Sequence, residues 1–362
     1  MSAKRRGPLG PLYITAAGEH DGKSAVALGL CLALRRRGYD AGYFKPVGRL
    51  ARHQGKVQAD ADAIAAREIL ELEDSLEDIC PVTLTAQIAD DALSGRRKSK
   101  THAAAISMAL SRISQKRDVV VMESLGDPGR GAFLGLSPAE IAQLTKAHAL
   151  LVAGYGGTSM LDRILAGRTM LGRRLMAAVV NRVPKARIER VETGYHSFLE
   201  QRGIDLFGVI REEPRLSAVT VGEIRERLGA EMLTAADGGA ERLVNSILVG
   251  AMNQEHALRY FQRVKDKAVV TGGDRSDIIL AALETPTAVV VLTGHLQPAA
   301  SVVGRAEELG VPLLLTGHDT MAAANEIHEL FGHARVREKG RLDLMVKLIE
   351  KHMDVDAIVG RL

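Results

Sequence analysis

The sequence predicts an α/β protein of two units, a helix-flanked parallel sheet over residues 1–212 and a smaller α/β unit over 213–362. Three observations lead there. Apolar strand-like runs alternate with helical patterns along the first two thirds of the chain, which implies crossover connections and mainly parallel strands. At 362 residues the chain is too long for one ordinary core. Aromatic residues make up 3% and Trp is absent, so the core falls to Ala, Val, Leu and Ile, the residues of buried parallel strands.

The elements follow in order. Strands are expected at Leu12–Ala16, Ala41–Pro46, Val119–Met122, Ala149–Ala153, Met176–Asn181 and Leu206–Ile210. Helical patterns lie between them at Lys23–Arg37, Ala61–Leu70, Ala103–Gln115, Pro138–Lys146 and Thr158–Leu171. Ser137-Pro138-Ala139-Glu140 is a capping box with Pro at the first helical position, a strong helix start. Glu212-Glu213-Pro214 interrupts the pattern, and the helix Val221–Leu228 opens the second unit. Arg341–His352 reads as a further helix there.

In that unit Val270-Thr271-Gly272-Gly273, Leu292-Thr293-Gly294-His295 and Leu315-Thr316-Gly317-His318 echo one another. Each follows an apolar strand (Ala268–Val270, Ala288–Leu292, Pro312–Leu315), so the three turns are expected at the carboxyl edge of one small parallel sheet. Open α/β folds bind ligands at that edge. The same glycines also suit tight strand–helix turns, the alternative reading.

Charge is nearly balanced, with 48 basic and 44 acidic side chains. The basic residues are dispersed. Arg35, Arg36 and Arg37 end a helix, where cations suit the dipole, and Arg96, Arg97, Lys98 and Lys100 lie in a polar stretch. Both clusters read as solvated surface, so no nucleic-acid partner is expected. Cys31 and Cys80 show no CxxC spacing and are too few for a metal cluster. The N-terminal Lys4, Arg5 and Arg6 precede no apolar signal stretch, and no run is long enough for a membrane span. A cytoplasmic location without membrane attachment is expected.

The chemistry concentrates after the first strand, at Ala17-Gly18-Glu19-His20-Asp21-Gly22-Lys23-Ser24. A phosphate-binding loop needs small residues so that main-chain N–H groups curl around the anion. It also needs a Lys for the β- and γ-phosphates, and a hydroxyl for Mg²⁺. Gly22, Lys23 and Ser24 supply the second half of that pattern between a strand and a helix. The first glycine of the usual spacing is Ala17 here, displaced to Gly18, and His20 and Asp21 read as spacers. Glu123 ends a buried strand, where an acid can face the metal. Gly126, Gly129 and Gly131 follow it in a loop. Asn181, at another strand end, either reads a base edge or starts a turn before Pro184. ATP with Mg²⁺ is the expected cofactor pair.

These pieces resemble the dethiobiotin synthetase-like P-loop family, and more closely the N-terminal domain of long phosphate acetyltransferases. The resemblance covers about residues 10–215. It rests on Gly22-Lys23-Ser24, Gly42-Tyr-Phe-Lys45-Pro-Val47, Val119–Glu123, Gly135-Leu-Ser-Pro-Ala-Glu-Ile141 and Val180-Asn-Arg-Val-Pro184. It implies that Lys23 binds phosphate and Ser24 ligates Mg²⁺, with Glu123 and Asp62, from Asp60-Ala-Asp62, completing the metal shell. It further implies that Lys45 sits near the substrate and that Asn181 reads the base. Glu123-Ser-Leu-Gly-Asp departs from the synthetase's Glu-Gly-Ala-Gly-Gly loop, and Arg211 stands where the synthetase has Pro. About Ser217–Ala324 is similar to the DRTGG domain, chiefly through Val269-Val-Thr-Gly-Gly-Asp-Arg-Ser-Asp-Ile-Ile279. That likeness implies a regulatory, nucleotide-sensing role, with Thr271, Gly272, Gly273 and Asp274 as its candidate binding residues.

Three functions stay open on this reading. The first is a regulatory MgATP-binding protein with slow or coupled hydrolysis. The second is an ATP-dependent ligase acting on a small carboxylate or carbamate, with Lys23 and Lys45 catalytic. The third is a scaffold with a relic P-loop. Acetyl transfer to phosphate is not expected of these residues, which leave no room for an acyltransferase domain, and a homo-oligomer is expected.

Overall fold

The computed structural model describes residues 9–49, 51–54, 57–96, 99–234, 238–332 and 339–362. Lys4, Arg5, Arg6, Arg97 and Lys98 lie outside the described residues. The chain forms two compact units, Met1–Glu212 with Val336–Leu362, and Glu213–Arg335.

The first unit is a six-stranded parallel sheet of β1 (Leu12–Ala16), β2 (Ala41–Phe44), β3 (Val119–Glu123), β4 (His148–Gly154), β5 (Leu175–Val183) and β6 (Leu206–Arg211). Their order across the sheet is β6-β5-β4-β1-β3-β2. All five residues of β1 and of β3 are buried, as uninterrupted apolar runs require when helices cover both faces. The connecting helices include α1 (Lys23–Arg36), α2 (Ala61–Ile69), α3 (Ser99–Ser114), α4 (Pro138–Thr145) and α5 (Thr158–Leu171). The capping box at Ser137 is present, with Glu140 returning to the Ser137 N–H at 2.9 Å.

Helix α1 is apolar nearly all round, and Val26 to Cys31 are all buried. Such a helix needs a second partner besides the sheet. That partner is the helix Lys339–His352, whose Met345 and Ile349 occupy the space that a side chain at Gly29 would fill. Arg36 pairs with Asp343 at 2.7 Å on the rim. The C-terminal helix was expected in the second unit and instead groups with the first. The reason is the bare glycine face of α1, which takes up apolar side chains from more than 300 residues downstream.

The second unit is a five-stranded sheet of β7 (Glu231–Met232), β8 (Ser246–Val249), β9 (Lys267–Gly272), β10 (Thr287–Thr293) and β11 (Leu313–Leu315), in the order β7-β11-β10-β9-β8. β8 to β11 are parallel and β7 is antiparallel to β11. Alternate residues divide between two cores. Val269 and Val290 pack with α7 (Gln254–Phe261) and α8 (Ser276–Leu283), while Ala268, Val270 and Val291 pack with α6 (Val221–Leu228) and the helix Thr320–Gly332.

Lys267 is wholly buried in this sheet. Its ammonium donates to Thr285 Oγ1 at 3.0 Å and to the carbonyls of Pro286 at 2.9 Å and Val264 at 3.2 Å, one acceptor for each proton. Lys267→Met is expected to lower the stability of this unit by about 1–3 kcal/mol by orphaning buried acceptors, read from its denaturation midpoint.

Candidate functional site

The loop between β1 and α1 turns on Gly22, whose φ of 87° lies in the left-handed region that glycine enters freely. No side chain caps the helix there, so the first-turn N–H groups of α1 are left for an outside acceptor. The aligned peptide dipoles place positive potential at the same point. Lys23 and Ser24 begin the helix and reach across to the end of the adjacent strand, β3.

Glu123, fully buried at that strand end, is the hub. Its Oε1 accepts from Ser24 Oγ at 2.7 Å and lies 3.5 Å from both Lys23 Nζ and Lys45 Nζ. Its Oε2 accepts from the Tyr43 hydroxyl at 2.7 Å. Burial, and then the Glu123 carboxylate, push the Tyr43 phenol well above its ordinary pKa, so it stays a donor.

Lys45 leaves the end of β2 with 3% of its surface exposed. Its ammonium pairs with Asp60 at 3.0 Å, with Asp62 at closer range, and with Glu123. Burial alone would lower its pKa, but the carboxylates of Glu123, Asp62 and Asp60 outweigh it and hold the group well above the usual lysine value. Lys45 is therefore a fixed cation and not a base. The two acids of Asp60-Ala-Asp62 differ in setting. Asp60 is buried and caps α2 through the N–H of Asp62 at 2.9 Å, and it also accepts from Arg49 N–H at 2.8 Å. The Asp62 side chain stays 43% exposed.

Asn181, at the β5 end, lies against the loop: its Nδ2 donates to the Asp21 carbonyl at 2.9 Å, and its Oδ1 accepts from the Arg182 N–H at 2.9 Å. A Cβ on Gly22 would collide with that amide. Asp21, read from sequence as a spacer, is buried and faces Arg163 at 3.3 Å. Sequence reading passed over both residues of this pair, and the only sign available was an acid inside an otherwise anion-binding loop. The structure thus brings Lys23, Ser24, Lys45, Asp62 and Glu123 into one cluster, with Gly18 and Gly22 in the loop beside them and Asn181 against that loop.

In the second unit Thr271 and Gly272 end β9 and Gly273 and Asp274 follow in the turn, where several of them have structural roles. The Thr271 hydroxyl donates to the Gly250 carbonyl at 3.3 Å, and Thr293 donates to the Thr271 carbonyl at 3.2 Å, lacing adjacent strand ends together. Thr316 instead donates to Leu228, at 3.2 Å. A Cβ on Gly273 would overlap the Leu296 carbonyl oxygen, and one on Gly272 would meet the Asp274 carboxylate. Asp274 is exposed. A cavity of about 110 Å³ opens beside Gly250, walled by Leu248, Val249, Met252, Tyr260 and Phe261.

Among the described residues no helix is long and apolar enough to cross a membrane. No group of three or more His, Cys, Asp or Glu side chains there is placed to hold a metal ion unaided.

The family model described as an AAA domain matches residues 11–220, and the DRTGG domain model matches 223–330. A phosphate acetyltransferase of Nitratidesulfovibrio vulgaris is 26% identical, covering 97% of this chain and 51% of that protein. One from Pseudomonas putida is 24% identical, covering 92% of this chain and 49% of that protein. The chain spans about half the length of the curated relatives it matches. Among solved structures, a Cyanothece McdA–ATP complex is 15% identical over 58% of this chain and 86% of that one, at a TM-score of 0.38. The CBS and DRTGG domains of a Clostridium perfringens pyrophosphatase, complexed with diadenosine tetraphosphate, are 14% identical over 40% of this chain and 71% of theirs, at 0.28. Both scores are too low to bear on function. With a strand–loop–helix cradle, an acid at the neighbouring strand end and a family match over more than half its length, the chain belongs to the AAA-domain, dethiobiotin synthetase-like P-loop family and carries a DRTGG domain after it.

Proposed function

We propose that the first unit binds ATP with Mg²⁺, with slow or coupled hydrolysis, and that the DRTGG unit makes this binding part of a regulatory response. The observation that carries the reading is the meeting of Lys23, Ser24 and Glu123 at the uncapped start of α1. The donor set fits Mg²⁺, a hard cation that takes one or two protein oxygens and leaves its other positions to water and phosphate. Ser24 Oγ and Glu123 would hold it, joined by Asp62. When bound, the ion supplies charge neutralisation to the phosphates. The chain's own groups do the rest: the α1 N–H groups orient the anion, Lys23 adds charge, and Tyr43 and Lys45 hold the Glu123 carboxylate in place.

The phosphate acetyltransferases that match over half their length suggest where such a regulator serves, alongside acetyl-phosphate chemistry carried out by other residues. The ligase reading would need Lys45 to meet a substrate carboxylate, and its enclosure by three carboxylates weighs against that.

Glu123→Gln tests the proposal. Removing the charge at the hub should leave metal-free ATP affinity within a few-fold of wild type and abolish the strengthening that Mg²⁺ brings. Titrations of ATP with Mg²⁺ and with EDTA read this directly. Equal gains from Mg²⁺ in both proteins would remove Glu123 from the metal shell.

A further inference from the structure

The nucleotide reading leaves a buried acid of the phosphate loop without a role. Asp21 lies inside the phosphate loop, immediately before Gly22, with 5% of its surface exposed. An unmatched carboxylate there would repel any polyanion in the cradle. Its match comes from the second turn of α5. Arg163 Nη1 stands 3.3 Å from both Asp21 oxygens, and Nη2 donates to the Gly154 carbonyl at 3.0 Å. A planar guanidinium serves both acceptors at once, which a lysine ammonium does less well.

Glycines wall in the pair. A Cβ on Gly18 would collide with the guanidinium, one on Gly154 would stand 2.6 Å from Asp21 Oδ1, and one on Gly156 3.4 Å from Arg163 Nη2. None of these three has a positive φ, so space and not backbone conformation explains them. On the other side, Asn181 grips the Asp21 carbonyl at 2.9 Å. The residue next to the cradle is thus held by its side chain from α5 and by its main chain from β5.

We propose that Arg163 is a positioning residue: a strut that fixes the phosphate loop by holding Asp21, with Gly18 a glycine in order to admit it. This accounts for a loop in which the usual first glycine is Ala17 while Gly18 is retained. The inference rests on the nucleotide reading, but that reading stands on Lys23, Ser24 and Glu123 and survives without the strut. A loop ordered before the ligand arrives spares the ligand the cost of ordering it, so the strut acts on affinity more than on folding.

The test is MgATP titration into the full chain, with the melting temperature of the empty protein recorded for each variant. Arg163→Met, Asp21→Asn and Gly18→Ala should each weaken MgATP binding by roughly tenfold or more, as small displacements at preorganised sites do. The Gly18→Ala protein should melt close to wild type, because the colliding atoms are the flexible end of Arg163. The double variant Gly18→Ala/Arg163→Met should bind no worse than Arg163→Met alone, since the added methyl then meets no guanidinium. Wild-type affinity in Gly18→Ala, or losses that multiply in the double variant, would overturn the strut. If Arg163→Met does not fold, Gly18→Ala still decides the matter, with Arg163→Lys as the milder companion. Lys23→Ala separates the two claims. Binding lost there but kept in the loop variants removes the strut alone, and no binding by wild type removes both.

Discussion

Lys45→Met is expected to destabilise the first unit by about 3–5 kcal/mol, the cost of leaving buried carboxylates without their counter-charge. The lysine side chain is 4% exposed and its acidic partners Asp60 and Glu123 are 2% and 1% exposed, so water does not replace it. The Coulombic gain from three carboxylates already outweighs its own burial, and that excess is what the substitution removes. Lys23 offers the contrast. It is 20% exposed and shares Glu123 with Lys45, so Lys23→Ala leaves the carboxylate paired and should change stability little. Chemical denaturation of both variants checks this. A Lys45→Met protein as stable as wild type would mean that the cluster is solvated or its acids protonated. Adding Asp60→Asn to Lys45→Met should recover part of the loss, which a simple packing defect would not allow.

Gly273→Ala is expected to unfold the second unit, or to weaken it by more than about 4 kcal/mol, the exceptional range reserved for severe steric conflict. The methyl group would overlap a main-chain oxygen, that of Leu296, and neither backbone has a flexible end to swing aside. The turn is also tied at Thr271 to Gly250, and the strand beyond it at Thr293 to Thr271, so a shift would break hydroxyl bonds as well. Gly317→Ala, in the third of the echoing turns, should be nearly silent because nothing lies within 4 Å of its added methyl. Separate melting transitions for the two units, followed by circular dichroism, distinguish these outcomes. A stable Gly273→Ala protein would mean that the turn relaxes away from β10.

The first sheet was legible because its strands are apolar runs set between capped or amphipathic helical patterns. The pair Ala51–Gln54 and Val57–Asp60 was not, since Arg52, His53 and Gln54 give no alternation to read. The short helix Gln254–Phe261 also escaped, because it buries only Ala257 and Phe261. The C-terminal helix was recognised as a helix, but its neighbour was not. Periodicity shows which face is apolar, never what will cover it.

At the site, Lys23, Ser24 and Glu123 were legible from residue type and from their places at strand and helix ends. The Asp21–Arg163 pair was invisible, since its members are 142 positions apart and neither sits in a pattern of its own. Asn181 was singled out as a base reader or a turn residue, whereas its bond to the Asp21 carbonyl needed coordinates. The Thr-Gly turns of the second unit illustrate the reverse. Their chemistry-bearing side chains drew notice, and their hydroxyls turned out to bond main-chain carbonyls.

The most direct measurement is the melting temperature of the first unit with and without saturating MgATP, for wild type and for Lys23→Ala. A ligand at about 100 times its Kd adds roughly 2.7 kcal/mol to the folded state, a shift of several degrees. Wild type should show that rise and Lys23→Ala should lose most of it while melting at the same temperature when empty. No rise in wild type, or an equal rise in both, would contradict a triphosphate cradle at Gly22–Ser24.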